Sequence, residues 1–187
     1  MSKNKYLLTD EVELCEQDYA EREKLIKEFR EMPEEFFSKM RHFQPQIGCL
    51  NVCEICSKTA NARVEFWEER RIRNIIAALK YASPQIKEDY SLITYDRYEH
   101  RNGVIFPYLD NDIGNYPYLD LFISLAFKEL GVTTRISTVS YSRYNEELND
   151  MHKRINLLHE YGLAGVRLSF TPYELGWCSK NATYSQF

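Results

Sequence analysis

Three short runs rich in β-branched and aromatic residues, GVIFPYL, TTRISTVSY and GVRLSFT, recur through the second half of the chain, with a helical pattern filling each gap. Their central residues Ile105, Ile136 and Leu168 stand one strand-plus-helix unit apart. An antiparallel pair can be joined by a two-residue turn, whereas a parallel pair needs a crossover of a dozen residues or more, usually a helix. The recurrence therefore predicts parallel strands joined by right-handed helical crossovers. The strands VIFPYL, RISTV and VRLSF are apolar at both alternating positions, as parallel strands covered on both faces are.

The crossover helices carry their own punctuation. PYLDLFISLAFKEL starts at Pro117 and is ended by Gly131; NEELNDMHKRINLLHEYG is capped by Asn145 and stopped at Gly162. Upstream, residues 9–31 read as an amphipathic helix with an Asp10/Glu13 capping box. Its inward stripe would be Val12, Cys15, Tyr19, Ile26 and Phe29, which makes Cys15 a buried small hydrophobe. Pro33 opens a second short helix with Phe36, Phe37 and Met40. A short strand is expected near Gln46–Gly48, then a loop through Cys56. A helix follows from about Val64 to Tyr81, with Val64, Trp67, Ile75, Ile76 and Leu79 inward and Pro84 beyond its end. Asn102-Gly103 is a turn signal between two extended runs. The domain reading is a helical extension over residues 1–42 followed by an α/β unit over 43–187.

Bulk properties narrow the function. The 187 residues, 44% hydrophobic, suffice for one core. A net charge of −4 with dispersed lysine and arginine argues against nucleic acid as a partner. Arg70, Arg71 and Arg73, beside Glu65, Glu68 and Glu69, read as a solvated helix face. No apolar run approaches the ~20 residues that cross a bilayer, and the amino terminus turns acidic too early for a signal peptide. Five cysteines in such a chain imply a reducing, cytoplasmic setting.

Three of those cysteines lie in one stretch, GCLNVCEIC, with the spacing Cys49-x3-Cys53-x2-Cys56, in a loop after the expected first strand of a βα array. Pairing into disulfides would leave an orphan, and a zinc site prefers four ligands. Cys49-x3-Cys53-x2-Cys56 at that location resembles the signature of the radical S-adenosylmethionine superfamily. The resemblance implies a partial (βα) barrel with about four parallel strands, in which these thiolates hold three irons of a 4Fe–4S cluster. The fourth iron would chelate S-adenosylmethionine, which one-electron reduction cleaves to a 5′-deoxyadenosyl radical that abstracts hydrogen from substrate. A zinc site recruiting His42, or a non-catalytic metal-binding module or truncated partner protein, stays open as the alternative.

The resemblance also assigns candidate cofactor contacts. Ile55 stands where the family usually has an aromatic residue near the adenine. Asp110, Asn111 and Asp112 replace a glycine-rich turn that binds the methionyl amino group; carboxylates and an amide accept bonds from ammonium equally well. The same segment also reads as a plain Asx-rich turn before the Pro117 helix. Ser169 fits the ribose position, Ser140 offers a further hydroxyl, and Arg143 can pair with a carboxylate. Asn51 and Lys58 flank the cysteine loop. Ser137 and Thr138 must face opposite ways, and Arg135 and Arg167 are expected on the helix side or near the strand entrances.

The family barrel has six strand–helix units, so a four-strand chain is expected to be incomplete, to pair with itself, or to need a carboxy-terminal part. The implied partners are a one-electron reductant of the flavodoxin or ferredoxin kind and a substrate, peptide or small molecule, that the residues do not specify.

Overall fold

The computed structural model describes residues 14–33, 36–37, 40–49, 63–82, 103–138, 158 and 162–168. Along the chain these form helix α1 (Glu16–Arg30), strands β1 (Gln46–Ile47) and β2 (Glu65–Phe66), and helix α2 (Glu69–Ala82). Strand β3 (Val104–Ile105), a 3-10 turn (Ile113–Asn115), helix α3 (Leu119–Leu130), and strands β4 (Thr133–Thr138) and β5 (Leu163–Leu168) follow. The fold is mixed α/β. Strands β3, β4 and β5 lie side by side in chain order, all parallel. On the free side of β3, His42 forms a parallel bridge to Phe106, and Phe106 N–H donates to the Arg41 carbonyl at 2.8 Å.

Helices make one face of this sheet the core. α3 is apolar on nearly every side and is accordingly buried from Leu119 to Ala126, the pattern of an internal helix. It ends where Gly131 takes the left-handed conformation, φ 68°, and donates to the Phe127 carbonyl at 3.0 Å. Ile72, Ile75, Ile76 and Leu79 of α2 join Phe122 of α3, Ile105 of β3, Ile136 of β4 and Leu158 in a single cluster. Phe43 stacks on Phe122 with ring centroids 5.4 Å apart, so the segment beside β3 turns the same way into the core.

Several sequence expectations change. Gln46–Ile47 pairs antiparallel with Glu65–Phe66, outside the parallel sheet, and the parallel contact falls earlier, at His42. Pro45 lies between the two; lacking an N–H it cannot continue a ladder as donor, but its carbonyl accepts from Trp67 N–H at 2.9 Å. The following helix consequently starts at Glu69, because Glu65 and Phe66 are spent on the ribbon.

α1 docks on α2 through a different face from the one its apolar spacing suggests. Tyr19 is 57% exposed, while Asp18 is 2% exposed. Asn74 donates to Asp18 at 3.1 Å and to Glu21 at 2.5 Å, and accepts from Arg22 at 2.8 Å. Arg70 and Arg71 pair with Asp18 and Glu21, so these arginines are the docking surface for α1 and Arg73 bonds Glu69 within its own helix. Cys15 is half-buried at the helix start, with an Arg70 guanidinium nitrogen 2.8 Å from its Sγ. The Asp10/Glu13 box lies outside the described residues; the observed cap is Asp18, which accepts from the Cys15 N–H at 3.0 Å.

The parallel sheet is open among the described residues, so the α/β class holds and barrel closure is not part of the observed fold. No helix among the described residues is long and apolar enough to cross a membrane.

Candidate functional site

The cysteine loop leaves the sheet at its carboxyl edge. The chain passes from the His42 bridge through β1 to Gly48, whose φ of 77° turns it into the loop, and reaches half-buried Cys49. β2 then brings it back, so the antiparallel ribbon closes the base of residues 48–64. Tyr116 reinforces that base by donating its hydroxyl to the Trp67 carbonyl at 2.7 Å. Cys53, Cys56, Ile55, Asn51 and Lys58 lie outside the described residues, as do Ser140, Arg143, Ser169 and Cys178.

The turn after β3 is tied to this loop base. Gln44 donates its amide to the Asp110 carboxylate, Gln46 Nε2 donates to the Asp112 carbonyl at 3.2 Å, and Asn111 Nδ2 donates to the Gln46 carbonyl at 2.6 Å. Asp112 is buried, and its Oδ1 accepts from Gly114 N–H at 2.9 Å, capping the 3-10 turn. The Asx-turn reading is therefore physically correct for Asp112. Asn111 differs. Its Nδ2 is fixed by carbonyls, which sets the flip, and its buried Oδ1 has no hydrogen-bond partner among the described residues. A buried acceptor left unpaired costs about 1–3 kcal/mol, so it is a place where a ligand's N–H would be welcome.

Among the described residues, the sheet face opposite the helices is polar and aromatic apart from buried Val104. Burial in β4 alternates, with Thr134, Ile136 and Thr138 buried and Thr133, Arg135 and Ser137 half-exposed. Ile136 belongs to the helix-packed core, so Arg135 and Ser137 point away from the helices. Register puts Gly165 opposite Arg135 and Arg167 opposite Ser137 on that same face. Arg135 and Arg167 are thus not helix-facing, which removes the first of the two placements expected for them. The alternation expected for Ser137 and Thr138 is observed.

His42, Phe106 and Tyr108 continue this face. His42 sits 5.8 Å from the Phe106 ring, and its Nδ1 lies 3.0 Å from the Tyr108 carbonyl oxygen, which sets Nδ1 as the protonated donor. Phe106 meets Tyr108 edge-on at 5.9 Å. Burial pushes the Tyr108 phenol pKa upward, while the charges of Arg167 and Arg135 pull the other way. His42 thus belongs to the aromatic row beside β3.

Sequence reasoning missed Gln44 and Gln46. Their signal was the alternating QPQ that leads into the cysteines, where period-two spacing puts both amides on one side of an extended segment. Comparison with family profiles, with curated proteins and with solved structures finds no match to this chain.

Proposed function

We propose that this chain is a radical S-adenosylmethionine enzyme, or the amino-terminal portion of one, with a 4Fe–4S cluster held by Cys49, Cys53 and Cys56. The observation that carries the reading is the clamp between Gln44–Gln46 and Asp110–Asp112. It fixes the start of the cysteine loop against the turn at the end of the neighbouring parallel strand. Ligands of parallel α/β sheets gather at such carboxyl edges. The orphaned Asn111 Oδ1 adds an acceptor suited to an ammonium group, and Asp110 adds a carboxylate beside it.

When bound, the cluster supplies one electron and S-adenosylmethionine the deoxyadenosyl group, so the hard chemistry belongs to the cofactors. The chain's residues would bind and orient. Asp112 serves by holding the turn, since its carboxylate is taken by Gly114. Ile55, Ser140, Arg143 and Ser169 are the candidates for the adenine, ribose and carboxylate contacts.

Anaerobic reconstitution tests the reading. The parent chain should turn brown, bind iron and sulfide, and release 5′-deoxyadenosine under dithionite. Cys49→Ala, Cys53→Ala and Cys56→Ala should each lose the cluster; Cys15→Ala and Cys178→Ala should keep it. A colourless protein that loads zinc, or full iron retention in Cys53→Ala, overturns it.

A further inference from the structure

The sheet face away from the helices carries a feature that the proposed cofactor contacts do not use. Arg135 and Arg167 come from adjacent parallel strands and share one face only because the pairing slips. Thr134 pairs with Leu163, but Arg135 pairs with Gly165, leaving Ala164 as an extra residue on β5. Without that slip, Arg167 would fall opposite Thr138 and turn into the helix-covered face, since one residue of register exchanges the two sides of a strand. Bulges of this kind re-aim side chains and are common beside active sites.

Gly165 is a second accommodation. A Cβ built there would lie 3.3 Å from Arg135 Nε, so the missing side chain gives the guanidinium its berth. Strand spacing and rise put the Arg135 and Arg167 backbones about 8 Å apart, within range for two long side chains to converge on one group. Phe106 and Tyr108 lie alongside, in the segment that follows β3. The Tyr108 phenol feels both positive charges.

We infer that Arg135 and Arg167 form an oxyanion-binding site, with Phe106 and Tyr108 packing the body of the ligand, for an organic molecule bearing a carboxylate or phosphate. Guanidinium groups bind both anions through paired N–H donors, and arginine also stacks against flat groups. The site lies on the same sheet that the cysteine loop leaves, from mid-strand at Arg135 toward the carboxyl ends at Arg167 and Tyr108. Its occupant as substrate rests on the proposed radical chemistry; the binding itself does not.

Titration calorimetry of the full, metal-free chain with benzoate, phenyl phosphate and neutral benzamide tests the site apart from any cluster chemistry. At least one anion should bind, and benzamide should bind about tenfold more weakly or not at all, the loss expected for one charge-assisted pair. The better anion identifies carboxylate or phosphate as the group recognised. Arg167→Gln, at an exposed position, should weaken the anion about tenfold with its circular dichroism and melting temperature unchanged. Gly165→Ala should weaken it by crowding Arg135 while Arg167 stays in place. Equal binding of benzamide and benzoate, no binding of either anion at millimolar concentration, or full affinity in Arg167→Gln overturns the inference. A chain that binds the anions yet yields no 5′-deoxyadenosine would reject the radical reading and leave the anion site standing.

Discussion

Gln46 Nε2 donates to the Asp112 carbonyl oxygen across 3.2 Å, with both residues buried and 66 positions apart in the chain. The bond couples the strand that opens the cysteine loop to the turn that follows β3. Replacing Gln46 with Ala would remove one of that carbonyl's two donors, leaving only the Asn115 N–H at 3.2 Å, at a net cost of about 0.5–1.5 kcal/mol. Urea denaturation should show the loss as a lower midpoint. On the proposed function, iron retention after reconstitution should fall in the same variant; an unchanged midpoint would show that the clamp contributes nothing.

Tyr116→Phe probes the base of the same loop. Burial, with Tyr118 beside it, holds the Tyr116 phenol pKa far above its ordinary range, so the hydroxyl remains a neutral donor to Trp67 at any working pH. Its removal should cost about 1–2 kcal/mol. Hydrogen exchange at the Trp67 amide, which bonds the Pro45 carbonyl at 2.9 Å, should accelerate. Unchanged exchange there would separate the hydroxyl from the ribbon.

Asp18 predicts how the α1–α2 contact responds to acid. The Cys15 backbone N–H, the Asn74 amide and the Arg70 charge hold its pKa at about 2, below the ordinary 3.8. A depressed carboxylate contributes stability that is present above the unfolded value and is lost as pH falls toward the folded one. The parent's melting temperature should therefore drop between pH about 4 and about 2. Asp18→Asn should start lower at neutral pH and show a shallower acid limb. Parallel acid limbs in the two proteins would remove Asp18 as the cause.

Gly162→Ala should be severely destabilising. Gly162 adopts φ 106°, which residues with a Cβ rarely tolerate, and an added Cβ would lie 2.7 Å from Phe127 Cγ. Strain and overlap together should cost about 2–4 kcal/mol, among the larger single-residue effects. Adding Phe127→Gly, which removes the Phe127 Cβ that the new methyl meets first as well as the ring, should recover only the overlap, leaving the backbone part. Full recovery in the double variant would show that φ is not limiting there.

The parallel class was legible because local features imposed it. A recurring strand-plus-helix interval, β-branched runs and glycine stops at Gly131 and Gly162 are each properties of a few neighbouring residues. The structure gives both glycines positive φ and places Ile105, Ile136 and Leu168 in one parallel sheet, though not in line: Ile105 pairs with Thr134, Ile136 with Val166, and Leu168 with Thr138. The face assigned to α1 was misread because an apolar stripe says what a helix can bury, not what its neighbour offers. α2 offers Arg70, Arg71 and Asn74, so Asp18 went inward and Tyr19 outward.

The sequence by itself determined that β3, β4 and β5 are parallel strands with α3 between the first two, that α3 stops at Gly131, and that three thiols stand close together in the chain beyond the first extended segment. These follow from steric and hydrogen-bonding preferences acting over a few residues. The helix expected from Asn145 to Gly162 lies mostly outside the described residues. Only the tertiary structure decided that Gln44 and Gln46 meet the Asp110–Asp112 turn and that Arg167 shares a face with Arg135. The first depends on two segments far apart in sequence becoming adjacent in a sheet. The second depends on a one-residue slip at Ala164, because a strand's two faces exchange with every residue of register and nothing local to either arginine fixes that register.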